Sequence, residues 1–371
     1  MATERTPQRR AVDTVIRSIL PIVFALIVAA LILLVLGKDP LKFYSGVFEN
    51  GVVGQNWQHS LVMMTPLLLI AIALIVVFRG QLWNLGYDGQ FLLGAVTVAG
   101  LAPQLIQATS PGVAYLVLTI AAIAVSAIWT LLPAWLKARF GTNEIITTLV
   151  MSTIGVGLTN ILIVYVFQDP AVSSPQTRSM KLSDMLPYIP GTQVHIGFLV
   201  AIVVAIVFQF ILSRTSFGLR LDVFGSSPKS ARHVGINSRA MVVVLFLISG
   251  GLIGLAAAMD IFGQFGYMRT NWNPAYGDTI MPFVFLARLS PVGSIPFIAF
   301  YSIFATGGTI AAQESGLSVD FLKVIVALIL IFMTITEYVG TKRDLGQSYL
   351  PDELKEAIRR PLAALTGRSA R

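Results

Sequence analysis

Residues 196–262 read IGFLVAIVVAIVFQFILSRTSFGLRLDVFGSSPKSARHVGINSRAMVVVLFLISGGLIGLAAAMDIF. Two apolar runs, Ile196–Leu212 and Met241–Phe262, enclose a basic, glycine-punctuated segment at 213–240. About 20 helical residues at about 1.5 Å each cross a hydrocarbon core of about 30 Å, so each run predicts a membrane-crossing helix. The same pattern recurs along the chain at Ser18–Gly37, Leu61–Phe78, Gly89–Leu105, Val113–Leu136, Ile145–Phe167, Val292–Ile310 and Leu322–Val339. Ile280–Leu286 is too short to cross alone and reads as a broken or re-entrant helix. With 55% hydrophobic and 12% charged residues and a mean hydropathy of +0.78, a water-soluble globule is excluded. The expectation is an all-α integral membrane protein of about ten transmembrane helices.

Charge tests that count. Alternating loops from a cytoplasmic N-terminus leave only Lys38, Lys42, Arg178, Lys181, Arg269 and Lys323 outside, and the rest of the 26 lysines and arginines inside. Ten crossings put both termini in the cytoplasm, whereas nine or eleven would strand the basic C-terminal cluster outside. The organisation read from this is a cytoplasmic tail at 1–14, a single transmembrane domain at 15–340 and a cytoplasmic tail at 341–371. Pro351 is placed to start a short tail helix bearing Leu354, Ile358, Leu362 and Leu365, which Pro361 interrupts. The first apolar run exceeds a usual signal-peptide core and lacks a small-residue cleavage site after Gly37, so a retained helix is expected. The Pro- and Ser-rich stretch Asp169–Thr192 is the longest outer loop, either a cover for the bundle mouth or a plain connector.

Several classes of chemistry are disfavoured. The net charge of +8 sits between apolar runs and suits anionic headgroups, so nucleic acid is not an expected partner. Cysteine is absent, and His59, His195 and His233 have no metal-ligand spacing, so no metal site is expected. Gly37-Lys38 lacks the earlier glycine of a phosphate-binding loop, and neither a nucleophile elbow nor an H-E-x-x-H helix occurs. The chain should not hydrolyse ATP, and no cofactor is expected in it.

Three stretches depart from plain membrane helix. Within 213–240, Pro228–Arg232 can form a short surface helix with Ser226 or Ser227 at its cap and Gly235 at its end. Such a helix can be gripped by another protein, whereas a solvated connector needs none. Trp83-Asn84-Leu85-Gly86-Tyr87-Asp88-Gly89-Gln90 interrupts the apolar pattern, either as broken backbone facing a solute cavity or as a turn in which Asp88 caps the next helix. Along the fifth run, Thr148, Ser152, Gly155 and Thr159 share one face, and Thr153, Gly157 and Asn160 share another; one stripe packs while the other lines a path. Gly250, Gly254 and Ala258 read as a tight-packing stripe. Arg288 marks an inner turn or touches solute.

Together WNLGYDGQFLLGA, TNEIITTLVMSTIG, GSSPKSARHVGIN and GDTIMPFVFLARLSPVGSIP resemble the membrane-spanning permeases of ABC importers for nucleosides and simple sugars, the branched-chain amino acid and ribose permease-like family. The resemblance runs from about Leu61 to Val339. It is similar to the longer of two paralogous permeases in bacterial nucleoside uptake systems. The resemblance implies a bacterial inner-membrane, multi-pass subunit whose partners are an ABC ATPase carrying ATP and Mg, a second permease and an extracytoplasmic solute-binding protein.

It also implies an ATPase-coupling loop at Gly225, Pro228, Ser230, Ala231, Arg232, His233, Gly235 and Asn237. Ser230 stands where the family usually has an acid, and Asp88 where it often has Glu. The candidate solute path is Asn84, Asp88, Gln90, Thr148, Ser152, Thr159 and Asn160; the uncharged groups among them, such as Thr148, Ser152, Thr159, Asn84 and Gln90, suit a neutral hydroxylated solute. Rival readings are an ion-coupled secondary transporter and an intramembrane lipid-modifying enzyme using Asp88, Asp260 or Arg288.

Overall fold

The computed structural model describes residues 7–54 and 56–344, with side chains described from 17 to 342 apart from residue 55. The short helix expected around 351–365 lies outside the described residues. The elements are α1 (Pro7–Val35), α2 (Pro40–Val52), α3 (Asn56–Arg79), α4 (Tyr87–Ala108), α5 (Pro111–Trp129), α6 (Leu131–Phe140), α7 (Glu144–Tyr165), α8 (Gly197–Arg214), α9 (Ser216–Ser226), α10 (Pro228–His233), α11 (Ser238–Asp260), α12 (Tyr276–Leu286), α13 (Pro291–Glu314) and α14 (Phe321–Asp344). Among the described residues there is no β-strand, only isolated bridges such as Gln176 with Arg269. Nine helices among these residues are long and apolar enough to cross a bilayer. The tenth expected segment is α12, whose 11 residues extend only about 16 Å, roughly half a hydrocarbon core. Left-handed backbone at Ala275 before it, and at Arg288 and Leu289 after it, bounds it as a half-helix.

The chain forms two compact units. In the first, α1 meets the body of α14 through Phe24 and Phe332, with ring centroids 5.7 Å apart, and Arg17 donates to the Gly340 carbonyl at 3.3 Å. In the second, 37–323, α3 is the axis. From Met64 to Phe78 every residue of α3 is buried, because α11, α13, α8 and α12 surround it. A helix apolar all round is stable in that position, whereas a surface helix would need a polar face.

Small residues set the closest approaches. A Cβ on Gly254 of α11 would collide with the Ala122 carbonyl and lie 2.8 Å from Ser126 Oγ, and one on Gly250 would lie 2.7 Å from the Ser126 carbonyl. α11 and α5 therefore touch backbone to backbone, where packing rather than hydrophobicity drives helix association. Gly254→Val should cost about 1–3 kcal/mol by overpacking. Thermal unfolding of the purified protein in detergent measures it, and an unchanged midpoint would contradict this packing.

α2 is an element that the sequence reading passed over. Asp39 caps it by accepting from Leu41 N at 2.8 Å and Lys42 N at 3.3 Å, and Pro40 begins it. It lies against α13 through Gly46 beside Ala311 and Gly51 beside Ile303.

Candidate functional site

Between α3 and α4 the chain runs unwound through residues 80–86. α4 starts at Tyr87, packed on the middle of α7: a Cβ on Gly89 would lie 2.8 Å from Ser152 Cα, and one on Gly155 would lie 2.8 Å from Gly89 Cα. Ser152 is about 12 Å along α7 from Glu144 at a helical rise, so α4 begins deep within the bundle.

Broken backbone at that depth leaves amides that water cannot satisfy. The expected path residues supply the partners. Thr148 Oγ1 accepts from Leu85 N at 3.1 Å and donates to the Glu144 carbonyl at 2.7 Å, while Ser152 Oγ accepts from Gly89 N at 3.1 Å. Asn84 pairs with Gln90 through both amide groups, at 3.0 and 2.8 Å, and also reaches Ser249 Oγ at 3.0 Å and Gly86 N at 3.1 Å. Asn84, Gln90, Thr148 and Thr159 are each at most 1% exposed, and Thr159 has no hydrogen-bond partner among the described residues. In this conformation these side chains hold the break rather than face an opening. The stripe Thr148, Ser152, Gly155 and Thr159 is the buried face of α7, and the stripe with Thr153, Gly157 and Asn160 is open.

Asp88 behaves differently. Gly86, not Asp88, occupies the cap of α4, and the half-buried Asp88 carboxylate accepts from Asn273 Nδ2 at 2.9 Å. Asn160 accepts from Asn271 N at 2.9 Å. Both partners lie in the non-helical stretch that leads into α12. Tyr87 Oη donates to Asp278 in the first turn of α12, so the N-termini of α4 and α12 meet.

Aromatic rings wall this meeting point. Trp272 lies 4.7 Å from Phe265 and 6.1 Å from Phe91, and Phe91 lies edge-on to Tyr276 at 5.4 Å. Asn271, Asn273 and Asp278 are exposed, Asp88 and Asn160 half-buried. Carboxylates in the first turns of both helices complement the partial positive charge of their N-termini. The 267–275 stretch was missed from sequence because it has no helical period. Its run of asparagines and a tryptophan between apolar segments was the available signal.

Of the other residues considered for chemistry, Asp260 is buried and accepts from Tyr276 Oη at 3.2 Å, and Arg288 occupies the left-handed turn after α12. Above them, His195 in the 166–196 connection is 1% exposed and lies on Gly263, where a Cβ would be 2.5 Å from its ring. Burial lowers its pKa from the usual 6.5 to about 4, so it is neutral at physiological pH.

At the opposite end of the bundle, 213–240 folds as two helices. The sequence reading anticipated only the second. α9 buries Gly218, Leu221 and Phe224, and Asp222 pairs with Arg79 at 3.0 Å. Gly225 passes so close to the Arg79 carbonyl that no side chain fits there. Ser227 caps α10 by accepting from Ser230 N at 3.2 Å, and Pro228 starts it. Ala231 is fully buried and anchors it, Gly235 ends it at φ +81°, and Asn237 caps α11 by accepting from Arg239 N and Ala240 N at 3.1 Å each. Lys229, Ser230, Arg232 and His233 face outward. α10 is thus a fixed knob on the end of the bundle.

A helical membrane bundle with an unwound, polar crossing point and a rigid terminal knob defines a transport subunit. The family model described as the branched-chain amino acid transport system / permease component matches residues 56–334, and the chain belongs to that family. It is 28% identical to a glucose ABC transporter permease protein of Haloferax volcanii, over 86% of this chain and 87% of the relative. It is 28% identical to a guanosine ABC transporter permease protein of Bacillus subtilis, over 85% and 91%. To a nucleoside ABC transporter permease protein of Lactococcus lactis it is 24% identical, over 85% and 90%. The chain is a permease subunit of an ABC importer, a transport component rather than an enzyme, and a multi-pass protein of the inner membrane. The family implies an ATPase partner and a binding protein.

Proposed function

We propose that the chain forms, with a second permease, the path by which a nucleoside or simple sugar enters the cell. The observation that carries this reading is the meeting of the α4 and α12 N-termini at Tyr87 and Asp278, framed by Asp88, Asn271, Asn273 and Trp272. A half-helix end meeting another helix end at unwound backbone is a transporter's device for exposing polar groups to solute. Amides and carboxylates bond hydroxyls, and an aromatic face stacks on a base or a sugar ring. The names of the relatives support the same solute class. Asp88 and Asn160 stay in the path, and Asn84, Gln90, Thr148, Ser152 and Thr159 serve it as its supports. Residues 15–340 act as the permease domain, with the tails at 1–14 and 341–371 in the cytoplasm, in keeping with the charge bias.

The binding protein delivers solute at the outer face, and ATP with Mg on the partner ATPase drives closure against α10 and its flanks, from Gly225 to Asn237. The helices then switch from outward to inward access. The test is uptake by proteoliposomes holding both permeases and the ATPase, with the binding protein added outside. Saturable uptake of labelled nucleosides or hexoses is expected; uptake confined to leucine, isoleucine and valine would refute the solute assignment.

A further inference from the structure

Asp260 is the last residue of α11 and Tyr276 the first of α12. Both are buried, and the bond from Tyr276 Oη occupies only one of the two carboxylate oxygens. Oδ1 has no hydrogen-bond partner among the described residues. A buried acceptor left half-satisfied costs stability, and replacing both members of such a pair by apolar groups of similar shape is nearly neutral or better. The fold alone therefore does not require the pair. Its effect is local to the start of α12. Ala275, just before Tyr276, is left-handed at φ +51°, a conformation that a residue with a side chain keeps only when its surroundings impose it. On one side Ala275 N donates to Asn273 Oδ1 at 2.9 Å, and on the other the tether from α11 holds Tyr276. Directly after Asp260 the helix widens into the π turn Ile261–Phe265, and such turns gather at functional sites.

We propose that Asp260 is a positioning residue for transport: through Tyr276 it fixes the N-terminus of α12 and the aromatic wall beside it. The groups that frame the solute depend on that ring. Phe91 lies edge-on to it at 5.4 Å and carries Trp272 at 6.1 Å. Asn273, which donates to Asp88, precedes it in the strained corner, and Asp278, which accepts from Tyr87, follows it in the same turn of α12. Between them Gly277 abuts the ring of Tyr87, so a shift of this turn passes directly to α4. Asp260, 1% exposed, touches no solute itself and acts only through the tyrosine. The inference rests on the solute path running past the meeting of α4 and α12.

The experiment uses the assembled permease–ATPase complex with its binding protein in proteoliposomes, and follows uptake, ATP hydrolysis and, in detergent, thermal unfolding. Asp260→Leu should cut uptake roughly tenfold, the equivalent of about one buried hydrogen bond, while loaded binding protein still stimulates ATP hydrolysis. Tyr276→Phe should match it. Asp260→Asn keeps an oxygen acceptor for the tyrosine and should recover most of the uptake. The double variant Asp260→Leu/Tyr276→Phe should transport no worse than either single variant, because both remove the same bond, and should unfold at or above the wild-type midpoint. A stable double variant that still fails to transport is the signature of positioning. Wild-type uptake in Asp260→Leu would overturn the inference. Recovery of uptake together with the midpoint in the double variant would make the pair merely structural, and losses that multiply in it would separate the two residues. All variants are compared on whichever labelled solute the wild-type complex accumulates, whether nucleoside, hexose or branched-chain amino acid, so an error in the solute class is read from the wild type alone.

Discussion

Replacing Ser230 with arginine should leave the permease inserted and folded but cut ATP-driven uptake by roughly tenfold or more, as a bulky, charged misfit at a docking helix costs more than about 1.4 kcal/mol. Ser230 faces outward on α10; its backbone amide, which arginine keeps, donates to the capping Ser227 Oγ at 3.2 Å, and its hydroxyl adds one bond to the same oxygen at 3.0 Å that arginine gives up. Arginine can therefore be built without disturbing Ala231 or the turn at Gly235. The loss is expected in the ATPase's response to loaded binding protein, with an unchanged elution profile of the purified permease. Gly235 offers a second route to the same knob, because φ +81° strains any residue with a side chain. Full uptake in both variants would remove α10 from the coupling step.

Asp88→Ile should be nearly as damaging, with uptake down by roughly tenfold, for a different reason. The substitution removes the acceptor for Asn273 Nδ2 and places a branched apolar group between the two helix ends. An interaction with an ionised acceptor contributes about 1.5–3 kcal/mol. Asp88→Asn keeps an oxygen acceptor and should recover much of the rate. Since Asp88 is half-buried, thermal stability should move far less than transport. Equal uptake by Asp88→Ile and wild type, measured at matched expression, would take Asp88 out of the path.

The two variants probe features that differed in how readily the sequence revealed them. The apolar runs were visible because lipid demands them, and α10 was visible because a cap, a proline and a glycine each have a local chemistry. α2 and α9 were not, since they are too short to cross a membrane and their close contacts are with distant partners: Gly51 needs Ile303, and Gly225 needs Arg79. Periodicity revealed that Thr148, Ser152 and Thr159 share a face of α7. It carried no information on what that face meets, which is the unwound stretch before α4 and the amides it leaves free. Of the residues that frame the open side, Asn271, Trp272 and Asn273 belong to irregular backbone, where spacing predicts nothing. Asp88 was recognised from the break it interrupts, and Asn273, its partner far along the chain, only from the fold.

The most direct measurement is solute accumulation in proteoliposomes holding the permeases, with and without the ATPase and the binding protein. A passive gate predicts accumulation only when both are present with ATP and Mg. Accumulation by the permease alone, driven by an imposed ion gradient and indifferent to ATP, would contradict it.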